Sequence, residues 1–232
     1  MSDVRKESIK ELGKRFELSI IRVMTMQELE ASIKKCFDYN LVAILVPSFM
    51  IRSMKEVTKG TGLRVGSAIS FPLGSEDPEP KALQAQIMVD KGVDDIDFVM
   101  NFPALATGFP EKVEKECALI RKAAPNAVLK MILEVFYLKD EHIRQACKIA
   151  ADNGIDFVKS STGQIQGPTM EQVCILVDEA KKYGIKSKVA GVKFPRAQNA
   201  MAFLCAGIDR VGTQNPFEIL DGIQILRDRG IF

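Results

Sequence analysis

The sequence predicts an α/β fold, a closed (β/α)8 TIM barrel with an extra helix at its N-terminus. Three observations point there. Short apolar runs alternate with helical patterns along the whole chain. Eight such units divide the 232 residues into lengths of about 29, the size of a strand plus a crossover helix. No linker, low-complexity tract or break in composition interrupts them, so one domain is expected over residues 1–232. An open doubly wound sheet is the competing architecture. It lacks its usual support, because no G-x-G-x-x-G follows the first strand and no G-x-x-x-x-G-K-[ST] occurs anywhere.

The expected strands are Leu18–Val23, Leu41–Val46, Arg64–Ser70, Asp95–Met100, Ala127–Leu133, Phe157–Ser160, Lys188–Lys193 and Ile208–Gly212. They are short and rich in Val, Ile and Phe, as strands buried on both faces should be. Between them the helical stretches are Met26–Tyr39, Ser48–Thr58, Glu79–Lys91, Glu111–Ala123, Lys139–Asn153, Thr169–Tyr183, Arg196–Ala206 and Pro216–Arg229. Pro78 and Pro80 mark one helix entry, and Asn153-Gly154 and Gly184 mark helix exits. A polar helix over Asp3–Gly13 is expected to cover the bottom of the barrel.

Composition excludes several functions. The formal net charge of +2 gives no basic surface for nucleic acid or membrane. No apolar run approaches the ~18 residues that would span a bilayer. The five cysteines are widely spaced and odd in number, which suits reduced thiols and a cytoplasmic location. There is one histidine, His142, inside an amphipathic helical stretch, where a half-buried helical side chain is expected. A lone histidine disfavours a His-built metal centre and a Ser-His-Asp triad, so neither metal nor cofactor is expected.

Catalytic groups of such barrels sit at the C-terminal ends of the strands. Those ends carry Ser70, Asp97, Lys130 with Glu134, Lys159 and Lys193, while Glu17 and Ser19 lie near the start of the first strand. Lysines rarely interrupt apolar runs without partners or purpose. Each alone could extend past its strand and snorkel to water; three together are harder to explain that way. An amine is nucleophilic only when neutral, and a second ammonium nearby with partial desolvation favours the neutral form. Lys159 and Lys193 would form such a pair, one attacking a carbonyl and the other disfavouring its protonation. Asp97 would be the carboxylate for proton transfer.

At these residues the sequence resembles the deoxyribose-phosphate aldolase family. SFPLG at Ser70–Gly74 is similar to its F-P-x-G segment and DIDFV at Asp95–Val99 to its E-[IV]-D-x-V motif. LKMILE at Leu129–Glu134 is similar to L-K-V-I-x-E, FVKSSTG at Phe157–Gly163 to F-[IV]-K-T-S-T-G, and AGVKF at Ala190–Phe194 to V-G-[FV]-K. The five pieces occur in order through most of the chain. The resemblance implies a class I aldolase with Lys159 as Schiff-base lysine, Lys193 as second lysine and Asp97 as catalytic acid. Substrate contacts are expected from Glu17, Ser19, Lys130, Glu134, Ser161, Thr162, Arg196 and Gln214. The expected substrate is a small aldehyde, sugar or sugar phosphate, and a homo-oligomer is expected.

The sequence also departs from that pattern. After Lys193 stand Phe194, Pro195, Arg196 and Ala197 where the family has glycines that approach phosphate. After the eighth strand stand Thr213, Gln214, Asn215 and Pro216 in place of serines. Asn215 would cap the last helix and occupy donors that a phosphate would use, with Arg196 as the replacement grip. A weakened phosphate site is therefore expected. A lysine-dependent transferase of transaldolase or thiolase type, and a silent metabolite-binding barrel, are the alternatives.

Overall fold

The computed structural model describes residues 3–232, and these form one closed, all-parallel barrel in which the eight strands pair in sequence order. The strands are β1 Phe16–Ser19, β2 Ala43–Leu45, β3 Arg64–Ile69, β4 Asp95–Val99, β5 Val128–Ile132, β6 Phe157–Lys159, β7 Lys186–Ala190 and β8 Arg210–Thr213. The helices are α1 Ile9–Gly13, α2 Met26–Asp38, α3 Ile51–Val57, α4 Pro78–Asp90, α5 Phe102–Ala106, α6 Pro110–Ala123, α7 Asp140–Asp152, α8 Met170–Tyr183, α9 Arg196–Ala206 and α10 Pro216–Asp228. The barrel expectation holds, and the open sheet does not.

Local chemistry explains most helix boundaries. Thr25 and Thr169 accept from the third backbone N–H of α2 and α8, and the side chains of Glu28 and Gln172 accept in turn from the cap backbone. Proline opens α4, α6 and α10, where its missing N–H costs nothing. Gly184 closes α8 and Gly207 closes α9 in the left-handed conformation. His142 is half-buried on α7, and its Nδ1 accepts from the N–H of Lys139 at 3.4 Å at the helix start. The expected helix over Asp3–Gly13 is broken into a 3-10 turn, Val4–Lys6, and α1. Asp3, Lys6, Glu7 and Glu11 from this segment rim a recess shared with the first residues of β6, β7 and β8, so it does cover the barrel bottom. Helix α5 was not anticipated; it is a single turn that Asn101 caps through its side chain.

Two strands lie earlier than expected: β1 runs over Phe16–Ser19, not Leu18–Val23, and the shift that changes the site is that of β7. This strand runs over Lys186–Ala190, not Lys188–Lys193, because Gly191 takes a positive φ of 77° and turns the chain out of the sheet. Reading a buried strand as an apolar run favoured the stretch VAGV over KSKVA. The interior of this barrel is charged, and the inward position at the middle of β7 is Lys188. In register, Glu17 lies beside Ala43 and Gly212, Asp97 beside Ala68 and Lys130, and Lys159 beside Lys188. Gly212 leaves room for this layer: a Cβ there would stand 2.8 Å from Lys188 Cε. The aliphatic core lies mostly between the outer faces of the strands and the helices, built from Val65, Ile96, Phe98, Leu129, Met131, Val158, Val189 and Val211 with helix partners such as Val113, Ile143, Leu176 and Leu220.

Candidate active site

A cavity of about 660 Å³ opens at the C-terminal end of the barrel. Its wall includes Ser19, Leu45, Phe71, Lys159, Thr162, Gly163, Lys193, Arg196, Thr213 and Gln214. Lys159 closes β6 and is only 4% exposed, which makes it the lysine at the cavity floor. The other charged side chains in the wall are Lys193 and Arg196, both at the mouth and in contact with solvent; among the described residues no carboxylate lines it.

Beneath the floor lies a closed ionic network. Lys159 Nζ donates to Asp97 Oδ2 at 2.7 Å, and Lys188 Nζ donates to the same oxygen at 2.8 Å. The two amine nitrogens therefore lie within about 5.5 Å of each other, the two bond lengths laid end to end. Lys188 also donates to Glu17 Oε2. Lys130 Nζ is 3.0 Å from Glu17, 2.6 Å from Asp95 and 3.3 Å from Asp97. Arg210 reaches Glu17 at 3.0 Å and Asp95 at 3.2 Å from below, and Arg64 donates to Asp95 at 2.7 Å. Glu17, Asp95, Asp97, Lys130 and Lys188 have no exposed surface.

The charges in this layer are unbalanced. Three carboxylates face three lysines and two arginines, so a fully protonated set would leave excess positive charge in a dry interior. Burial, assisted by Lys130 and Lys159, pulls Lys188 down to about 8 against the opposing pull of Asp97 and Glu17. Burial acts on Lys130 in the same direction, but Glu17, Asp97 and Asp95 together overcome it and hold that lysine above its ordinary value. Asp97, despite burial, is held well below the usual carboxylate range by Lys159, Lys188 and Lys130. Of the two sealed lysines, Lys188 loses its proton more readily than Lys130.

The sequence expectations divide accordingly. Lys159 and Asp97 come together, although Asp97 lies under Lys159 rather than in the cavity wall. Lys193 does not join them: it follows the end of β7, is solvent-exposed and stands at the mouth. Lys188 occupies the place expected of Lys193, because only alternate residues of β7 face inward and the strand begins earlier than its apolar pattern suggested. Lys130 and Glu17 are sealed in the network and do not line the cavity. Glu134 is also buried, in a left-handed conformation with φ 54°, and its Oε2 accepts from the N–H of Thr162 at 3.0 Å. It holds the loop after Lys159 and does not meet the cavity. Ser161, in the same loop, is buried, whereas Ser19, Thr162, Arg196 and Gln214 do line the cavity.

Two features of the expected tail site change as well. The residues after the inward lysine are Val189, Ala190, Gly191 and Val192, so a glycine is present on the seventh loop. Gly191 packs against Gly163 and Gly167 so closely that a Cβ on Gly167 would lie 2.0 Å from the Gly191 carbonyl oxygen. Asn215 stands at the N-cap position of α10, but its side chain makes no capping bond. It therefore does not compete for the free N–H groups of that helix. Sequence reasoning missed Lys188, Asp95, Arg64 and Arg210. The available signal was period-two spacing: Lys186, Lys188 and Ala190 alternate, as do Asp95 and Asp97.

The sequence profile of the DeoC/LacD family aldolases matches residues 8–207. A deoxyribose-phosphate aldolase of Methanothermobacter thermautotrophicus is 30% identical over 226 residues, 96% of this chain and 99% of that one. That of Deinococcus radiodurans is 30% identical over 200 residues, 85% of this chain and 90% of that one. A tetrameric deoxyribose phosphate aldolase from Aeropyrum pernix superposes with a TM-score of 0.84 at 26% identity, covering 94% of this chain and 93% of its own. The barrel, the floor lysine and these matches agree: the chain belongs to the DeoC/LacD family of aldolases and is a class I, Schiff-base-forming enzyme.

Proposed function

We propose that Lys159 is the amine that forms the Schiff base and that Lys188 and Asp97 manage its protons. The observation that carries this is the single carboxylate oxygen shared by the two lysines directly beneath the cavity floor. The neutral Lys159 nitrogen adds to the substrate carbonyl carbon. The resulting carbinolamine oxygen takes a proton and leaves as water, giving an iminium. When the substrate's β-hydroxyl gives up its proton, the C–C bond electrons pass into the iminium and an aldehyde departs. Protonation of the enamine carbon and hydrolysis then return the amine. Lys188, whose buried amine sits near 8, can hold or release a proton in the neutral range. Asp97 stays ionised and links the two nitrogens.

The substrate we infer is a small hydroxylated aldehyde or its aldol adduct bearing an anionic tail such as a phosphate. Every charged group in the cavity wall is a cation. Lys193 and Arg196 stand at the mouth, and no side chain caps the first turn of α10. The weak phosphate site expected from sequence rested on Phe194–Ala197 following the inner lysine, on the serines lost after β8 and on Asn215 capping α10; Asn215 makes no side-chain cap bond, while Thr213 and Gln214 still stand in place of the serines. The substrates named for the relatives from Methanothermobacter thermautotrophicus and Deinococcus radiodurans make 2-deoxyribose 5-phosphate the first compound to try.

A homo-oligomer fits the tetramer described for the Aeropyrum pernix protein. A cytoplasmic location fits the five free cysteines; among the described residues no helix is long and apolar enough to cross a membrane.

The test is borohydride reduction in the presence of acetaldehyde or 2-deoxyribose 5-phosphate, followed by peptide mapping. An adduct on Lys159, absent in Lys159→Met, is the expected result. An adduct confined to Lys188, Lys193 or Lys130 refutes the assignment.

A further inference from the structure

Below the lysine pair the barrel axis carries charge that the reaction does not touch. Arg210 opens β8 at the base of the barrel, with its side chain 15% exposed toward the recess that also holds Lys14, Lys186 and Asp209. Its guanidinium lies over the Phe157 ring, 4.6 Å from the centroid, which fixes its plane. One nitrogen, Nη1, donates to Glu17 Oε1 at 3.0 Å and to Asp95 Oδ2 at 3.2 Å. The other oxygen of Glu17 accepts from Lys188, and Lys188 meets Lys159 on Asp97 Oδ2. A continuous chain of ion contacts therefore joins the base of the barrel to the reactive amine.

We propose that Arg210 is a positioning residue for the aldolase reaction: by holding Glu17 and Asp95 from below, it sets how tightly the Lys188–Lys159 pair keeps its proton. This rests on the reading of Lys159 as Schiff-base lysine and Lys188 as its partner. The groups that face Lys188 are Glu17 from β1, Asp97 from β4, Lys130 from β5 and Lys159 from β6. On β8 the register neighbour of Lys188 is Arg210 itself, and Gly212, two residues on, has no side chain and leaves room for Lys188 Cε. Glu17 is the one of these with a direct link to the base. Its negative charge is divided among Lys130, Lys188 and Arg210.

Removing the guanidinium leaves Glu17 and Asp95 less compensated. Their field then falls more heavily on Lys188, which retains its proton to higher pH. Lys130 feels the same change, since Arg210 also acts on it, but Glu17, Asp97 and Asp95 already hold it above its ordinary value, so its charge state does not alter. A buried amine near 8 is sensitive to such a change, since a small shift moves it across the neutral range.

The experiment compares Arg210→Met, Arg210→Gln and Arg210→Lys with wild type in the full enzyme. The readouts are the pH dependence of kcat/KM with 2-deoxyribose 5-phosphate, borohydride trapping at Lys159 and thermal melting. The acid limb of the profile belongs to the coupled lysine pair. In Arg210→Met it is expected to move up by about one pH unit, lowering kcat/KM at pH 7 by about tenfold. The plateau at higher pH should remain, and Arg210→Lys should return the limb most of the way. If Arg210→Met is insoluble, Arg210→Gln carries the same test, being neutral yet able to bond Glu17.

An acid limb that stays in place in a folded neutral variant overturns the inference. So does an equal loss in Arg210→Lys and the neutral variants, or a failure of both neutral variants to fold, since Arg210 is then only structural. The wild-type trapping separates this from the underlying reading: no adduct on Lys159 refutes the aldolase assignment, whereas an adduct with an unmoved limb refutes only the role of Arg210.

Discussion

Replacing Lys188 by methionine removes one ammonium from beneath Lys159 without opening a large void, because the new side chain fills most of the same stem. In wild type the two nitrogens lie within about 5.5 Å through their shared Asp97 oxygen. At an effective dielectric constant of about 20, two unit charges at that separation repel by about 3 kcal/mol, equivalent to about two pH units. The thioether exerts no such repulsion, and Asp97 Oδ2 is then left to Lys159. Both changes hold the proton on the reactive amine. In Lys188→Met the acid limb of kcat/KM is expected to move up by about two pH units, and borohydride trapping at pH 7 should slow in step. Lost proton transfer would also lower the plateau, so the position of the limb, not the height, is the informative quantity. An unshifted limb with only a lower plateau would mean that Lys188 moves protons without setting the charge state of the pair. A shifted limb in Lys193→Met, which leaves the inner network intact, would refute the reasoning.

The tail site is tested by Lys193→Ala and Arg196→Ala with matched phosphorylated and unphosphorylated substrates. Each is expected to lower kcat/KM for the phosphorylated member by about tenfold while sparing the other; equal losses on both substrates would argue against an anion site. Lys81, fully buried, donates to Glu116 at 2.9 Å and to the carbonyls of Gly74 and Val99, pinning the third loop to the end of β4. Glu116→Ala strands that ammonium and should cost about 3–5 kcal/mol in urea unfolding; a cost below about 1 kcal/mol would show that water or another group compensates. Burial raises the carboxyl of Glu17, but Lys130, Lys188 and Arg210 more than reverse this and bring it from 4.5 to about 2. A carboxyl lowered in the folded state contributes stability that is fully present above 4.5 and is lost as pH falls toward about 2. Unfolding free energies measured down through that window should fall more steeply in wild type than in Glu17→Gln; parallel curves would place the acid sensitivity elsewhere.

Much of the fold was legible because its signals are local. Proline at the first turns of α4, α6 and α10, threonine caps at α2 and α8 and glycine after α8 act within a few residues, so their positions in the chain reveal the helix ends. Eight strand-and-helix units close a barrel almost regardless of side-chain detail, and Lys159 stood at a strand end where a barrel places chemistry, whereas Asp97 lies in the middle of β4. The second lysine was not decided at that level. Lys188 and Lys193 both follow plausible strand patterns. Whether a residue faces the axis or the solvent depends on where the strand begins, and a small error in that start exchanges the two roles. The start of β7 is set by pairing with β6 and β8 and by the turn at Gly191, which are contacts between distant segments. The same is true of Glu17, Lys130 and Arg210. Their residue types were visible in the chain, but a buried charge takes its meaning from the partners around it. Only closure of the barrel brings β1, β4, β5, β6, β7 and β8 to one axis, where three carboxylates compensate some of these cations and leave Lys188 free to lose a proton.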